Sequence, residues 1–132
     1  MERIYKPEMY EAIIRELGNF NFKRTSMSYQ YLIDAILLVI DNKTVIKDFK
    51  LYVYPNIAEK YDTKPENVLW SITKLLKVMY LNTDANIIKN YFDIAIDENP
   101  STKAFIIHVA YKISKKIIPE NTEISSNLHF LL

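Results

Sequence analysis

Between residues 53 and 81 the apolar positions repeat at helical spacing in two unequal blocks around a polar turn. In the first block, VYPNIAEKYD, Ile57 and Ala58 supply the apolar and the small side chain that two closely crossing helices need. In the second, Val68, Ile72, Leu75, Leu76 and Met79 fall on one face of a 3.6-residue repeat. Tyr61-Asp62 closes the first helix, and Asp is one of the few non-glycine residues that tolerate a left-handed backbone. Thr63-Lys64-Pro65-Glu66 fits a capping box. In it the Thr63 hydroxyl takes the Glu66 N–H, and the Glu66 carboxylate reaches back to the Thr63 N–H. Pro65 falls in the first turn, where its missing N–H costs nothing. The pattern predicts a helix-turn-helix at 53–81, with 65–81 as its recognition-type helix.

The flanking pattern is also helical. Pro7 opens a first helix and Gly18 closes it as a C′ residue. Met9, Ala12, Ile13 and Leu17 form its inner stripe, with Glu8, Glu11, Arg15 and Glu16 outside. A polar loop with two phenylalanines, 19–25, leads to a second helix capped by Ser26 or Ser28 and running to about Asp41. That helix is apolar nearly all round and reads as the central one. A short helical turn near Val45 to Lys47 follows. Asn82-Thr83-Asp84 caps a helix over about 85–92, and the connector 93–99 alternates Ile94 and Ile96 with polar neighbours, as an extended segment does. Pro100 and Ser101 start the last long helix, to about Ile117. Its inner face is Ile106, Val109, Ala110, Ile113 and Ile117, and its outer face His108, Tyr111, Lys112 and Lys115. Pro119 ends it. The expected organisation is one all-α domain over 1–118 and a C-terminal tail over 119–132, which ends in Leu128-His129-Phe130-Leu131-Leu132.

Composition narrows the function classes. A chain of 132 residues suits one domain, and 49% hydrophobic with 13% aromatic residues is a globular composition. One glycine excludes a Gly-rich phosphate loop. A net charge of +1 is not the strongly basic signature of an avid nucleic-acid binder. Residues 102–118, however, carry four lysines and no acid. The absence of cysteine excludes disulfides and thiolate metal sites and agrees with a reducing cytoplasm. The N-terminal stretch lacks a signal-peptide core, and the longest apolar run, 35–40, is too short for a bilayer. His108 and His129 have no carboxylate spaced to orient a catalytic base, and HExxH, GxSxG and Walker patterns are missing. Asp93, Asp97 and Glu98 offer no set of oxygens that fixes a cation. No catalytic residue, metal or cofactor is expected.

Binding is the remaining chemistry, and the outer face of the 65–81 helix is its candidate. At about 100° per residue, Glu66, Asn67, Trp70, Thr73, Lys74 and Lys77 point away from the apolar stripe, with Lys64 just ahead. In a major groove Asn pairs with adenine, Thr and Trp meet a thymine methyl, and Lys neutralises phosphate. The plain alternative is a solvated surface helix, because many αα-hairpins share this pattern. The pair Lys23-Arg24 reads as a solvated loop by the same reasoning.

Residues 51–63 (LYVYPNIAEKYDT), with Val68 and Ile72, resemble the C-terminal effector domain of the sporulation-initiation master response regulator family. The blocks 99–106 (NPSTKAFI) with Val109-Ala110 and Lys112-Ile113, and 14–18 with 31–36 upstream, keep the same register, covering roughly residues 11–117. The resemblance implies about six helices, binding of double-stranded DNA at short repeated boxes, often as a tandem dimer, and transcriptional control at entry into sporulation. The departures imply altered box specificity. Where the family has chiefly arginines on its recognition helix, this chain has Asn67, Leu69, Trp70 and Thr73, with Lys74 replacing a polar phosphate-contacting residue. The family's lysine-rich loop before the last helix reads Asp97-Glu98-Asn99 here, and acid beside phosphate is repelled. Too few residues precede the first helix for the family's receiver domain. A degenerate effector domain that binds a protein instead, as a homodimer or with a true family member, is the alternative. Trp70, an interface-type anchor, favours it.

Overall fold

The structure, a computed structural model, describes residues 6–95 and 98–117. They form α1 (Lys6–Leu17), α2 (Met27–Asp41), a 3-10 turn (Lys43–Lys47), α3 (Phe49–Lys60), α4 (Pro65–Asn82), α5 (Ala85–Phe92) and α6 (Thr102–Ile117), with no strand among the described residues. The all-α reading holds. None of the described helices is long and apolar enough to cross a membrane.

α2 is the axis of the molecule. It packs against α6, α4, α1 and α3, and Tyr31 to Ile36 are buried without a break. Ser26 caps it by accepting the Tyr29 N–H at 3.2 Å, and Asp84 caps α5 through the Asn86 N–H at 2.8 Å. α6 is the second interior helix. Of the expected inner residues Ile106, Val109, Ala110 and Ile113 are buried, the Ile117 side chain lies outside the description, and Phe105 and Ile107 are buried as well. Phe105 meets Phe20 at 5.3 Å and Phe92 at 5.4 Å between ring centroids. Phe20, from the polar loop, thereby becomes the centre of an aromatic cluster that joins the α1–α2 loop to α5 and α6.

Four details of the sequence pattern are corrected. Gly18 follows α1, but its φ is not positive. The helix ends instead by tightening, since the N–H groups of Gly18, Asn19 and Phe20 bond three residues back, to Arg15, Glu16 and Leu17. A Cβ on Gly18 would stand 3.0 Å from the Arg15 carbonyl oxygen, which is what the missing side chain relieves. Glu16, placed outside by periodicity, is 5% exposed. Its carboxylate accepts from the Tyr91 hydroxyl at 2.7 Å and the Lys116 ammonium at 2.8 Å. His108 is half-buried rather than a surface residue, with Phe92 5.3 Å away. Burial, which outweighs the opposite pull of the Ala104 backbone, holds its pKa below the usual 6.5. The connector residues 93–95 and 98–99 form no strand; Ile96, Asp97 and the tail 119–132 lie outside the described residues.

Candidate nucleic-acid interface

The helix-turn-helix is present with an earlier start than the pattern predicts. Asp48 caps α3 through the Leu51 N–H at 3.2 Å, so the helix starts at Phe49, four residues ahead of the expected boundary. α3 ends in a Schellman motif: the Thr63 N–H reaches the Ala58 carbonyl at 2.9 Å and the Asp62 N–H the Glu59 carbonyl at 3.4 Å. Asp62 takes the left-handed conformation, φ 55°, as the sequence implies. Ile57 and Ala58 are buried under the crossing, and so are all five residues of the α4 stripe.

The capping box does not form. Lys64, not Thr63, is the N-cap of α4, in the extended conformation that a following proline favours, and it makes no side-chain cap. Its carbonyl accepts from the Asn67 and Val68 N–H groups at 3.0 and 3.2 Å. The Schellman turn takes up the Thr63 N–H, so the Glu66 carboxylate has no donor to reach back to. The Thr63 hydroxyl accepts instead from the Asn67 side-chain Nδ2 at 3.1 Å. That contact leaves the Asn67 Oδ1 and the second N–H of its amide for another partner.

Glu66, Asn67, Trp70, Lys74 and Lys77 stand together on the open face of α4, with Lys64 exposed at its start. Trp70 is 64% exposed, and the Lys74 ammonium lies 4.9 Å from its ring centroid. Thr73 is not on the open face. It is half-buried and its hydroxyl shares a 2.8 Å hydrogen bond with Thr102 at the start of α6. Two turns further on, the Tyr80 hydroxyl donates to the Pro100 carbonyl at 2.9 Å. The chain from Pro100 to Thr102 therefore runs along the flank of α4, and exposed Lys103 just beyond it lies 5.4 Å from the Phe49 ring at the start of α3. Among the described residues no group of three or more His, Asp or Glu side chains gathers as a metal site requires.

A tether beneath the turn was not foreseen. Asp34, 7% exposed on α2, accepts from the Lys60 ammonium at 3.1 Å and the Tyr61 hydroxyl at 2.7 Å. Tyr31 and Tyr61 rings meet at 5.2 Å beside it. Burial alone would lower the pKa of the Lys60 ammonium, but the hydrogen bond and charge of Asp34 turn the net shift upward. The signal was available: a carboxylate inside the apolar run YLIDAILLVI needs a cation or donor to be buried at all. The tether ties the end of α3, and so the start of α4, to the central helix.

The family model for "Sporulation initiation factor Spo0A C terminal" matches residues 11–113, from within α1 to within α6, and includes the whole helix-turn-helix. The family is one of DNA-binding domains rather than of enzymes. With an all-helical fold and the match over most of its length, the chain belongs to the Spo0A C-terminal family of DNA-binding effector domains, which regulate transcription in sporulation.

Proposed function

We propose that the open face of α4 reads double-stranded DNA, at a site that differs from the family's box. The observation that carries this reading is the placement of Glu66, Asn67, Trp70, Lys74 and Lys77 on one exposed face of the second helix of a helix-turn-helix. Asn67 keeps the donor and acceptor pair that matches adenine N7 and N6, while Thr63 steadies its amide. Glu66 accepts from cytosine N4, and Trp70 packs on a thymine methyl. Lys64, Lys74 and Lys77 supply phosphate charge and position the helix without reading sequence. Thr73 acts on this reading through α6, because its hydroxyl is taken by Thr102. No arginine stands on α4, so bidentate guanine contacts, the commonest specific ones, are missing from this face.

The exposure of Trp70 favours a second reading, in which the face binds protein and the domain modulates a true family member. Selection from random duplexes at two salt concentrations separates the two. A recovered motif supports DNA reading. No enrichment, together with a protein complex that Trp70→Ala abolishes, supports the partner reading.

A further inference from the structure

α4 does not stand alone at the open face. Three contacts fix the start of α6 against its flank: the Thr73–Thr102 hydrogen bond at 2.8 Å, the Tyr80 hydroxyl on the Pro100 carbonyl at 2.9 Å, and the Tyr80 and Phe105 rings at 6.4 Å between centroids. Ser101 closes the first turn of α6 by accepting the Ala104 N–H at 3.2 Å. From that turn the Lys103 ammonium reaches to 5.4 Å from the centre of the Phe49 ring, at the start of α3. The starts of α6 and α3 thus meet in one corner beside α4. We propose that this corner is a second DNA contact, in which Lys103 binds a backbone phosphate at the edge of the groove that α4 enters.

This contact rests on the reading of α4 given above, and size and charge support it. A helix with its side chains is about 10–12 Å across, and the major groove is about 12 Å wide. With α4 in the groove, a segment packed on its flank has no room inside and lies over the wall, which is the phosphate backbone. The first helix of a helix-turn-helix crosses the same backbone, and Lys103 stands against its start. Phe49 is 4% exposed, so its ring is a fixed platform that holds the ammonium in place before any ligand arrives. Lys103 has no carboxylate within ion-pair distance among the described residues, which leaves its charge for phosphate. Lys47 and Lys50 are exposed on either side of Asp48, whose carboxylate is taken up by the Leu51 N–H. Glu98, the nearest acid along the chain, lines a hollow with Ala104 and His108. That face of α6 is about 100–140° around the helix axis from Lys103.

Anisotropy across a salt series tests the corner, using the full chain and two labelled duplexes, one of random sequence and one recovered by the selection above. At 0.1 M salt Lys103→Gln is expected to weaken binding to both about eightfold, the worth of one phosphate contact. It should also make the slope of log affinity against log salt shallower by about one. Lys103→Arg is expected to keep affinity and slope. Lys115 is the control, an exposed lysine on the same helix, 5.2 Å from the Tyr111 ring. It lies about 18 Å along the axis from Lys103, beyond the Debye length of about 10 Å at that salt, and Lys115→Gln is expected to change neither quantity. An unchanged slope in Lys103→Gln overturns the proposal, because affinity lost without charge dependence is lost packing on Phe49. A slope that Lys115→Gln lowers equally also overturns it, as a general effect of net charge. The reading by α4 fails separately, when Asn67→Ala, Lys74→Ala and Lys77→Ala leave binding unchanged, and the Lys103 slope then still decides the corner. Absence of duplex binding by the unaltered chain overturns both.

Discussion

Lys112 and Lys116 of α6 and the lysines of α4 look equivalent on paper and are opposite in the molecule. Lys112 donates to the Tyr91 carbonyl at 2.6 Å, and its ammonium lies 3.8 Å from the centre of that ring. Lys116 closes on buried Glu16. Both serve to join α6 to α5 and α1. Lys64 and Lys77 have no carboxylate within ion-pair distance among the described residues, and Lys74 only covers Trp70. A run of lysines in sequence is thus not a positive surface. What distinguishes the two helices is burial. α6 is covered by α2, α1 and α4, so Lys112 and Lys116 lie within reach of buried acceptors on its neighbours, while Lys103 and Lys115 stay exposed; α4 is covered on one stripe and its cations remain in water.

The contrast is sharpest for stability. Ile36, fully buried on α2, is expected to cost about 3 kcal/mol when changed to Ala, by lost transfer energy and a cavity. Lys77→Ala is expected to stay within about 0.5 kcal/mol. Urea midpoints check both, and similar losses for the two would erase the distinction between core and open face. Next in size is Glu16→Ala, at about 2 kcal/mol, because it strands the Tyr91 hydroxyl and removes the anchor of Lys116. A change below about 0.5 kcal/mol there would mean that Lys116 is not committed to Glu16.

Alkaline pH tests the same interior by another route. Burial pushes the Tyr54 phenol up to about 12, and burial raises Tyr80 and, with help from Glu16, Tyr91 further still. A raised folded pKa favours the protonated native form. Stability is therefore whole below the unfolded value near 10 and falls as pH rises from there through 12. Melting temperatures between pH 9 and 12 should decline and should decline less in Tyr80→Phe. A flat profile would place these phenols in water.

Much of this was legible in the chain. The α4 stripe, the Ser26 and Asp84 caps and the left-handed Asp62 follow from spacing and local chemistry, which need no tertiary partner. The failures needed one. Glu16 reads as surface because a carboxylate on a helix usually is, and only the approach of Tyr91 and Lys116, distant in sequence, buries it. Thr73 lies on the outer face by angle, but α6 arrives there. A start at Val53 would put Pro55 in the first turn, yet α3 begins earlier at Phe49, with Asp48 as the cap. Of the candidate site, the sequence pattern identified the open face but could not show which side chains it leaves unpartnered.

On the binding side, Lys74→Ala and Lys77→Ala are expected to weaken all duplexes alike. Each should make the slope of log affinity against log salt shallower by about one. Asn67→Ala should instead relax one base position by about 1–3 kcal/mol. Anisotropy across a salt series measures both. Duplex binding indifferent to all three changes would remove α4 as the reading surface while leaving the fold untouched.

The smallest effect separates position from stability most cleanly. Had Thr63 capped α4, Thr63→Ala would cost about 1 kcal/mol of stability. In the structure its hydroxyl holds the Asn67 amide at 3.1 Å instead, and no backbone N–H of α4 depends on it. The substitution should therefore shift the urea midpoint by less than about 0.5 kcal/mol. Freeing the Asn67 rotamer adds an ordering cost of about 0.5–1 kcal/mol when the side chain is immobilised on a base. Duplex affinity should fall about threefold at sites with the preferred base and hardly at all elsewhere. Thr63→Ser, which keeps the hydroxyl, should restore it. Asn67→Ala should make the Thr63 substitution silent, since the two act through one amide. A full loss of about 1 kcal/mol of stability would return Thr63 to the cap. Equal loss of affinity on all duplexes would mean that the threonine steadies the backbone of the turn and not the side chain that reads.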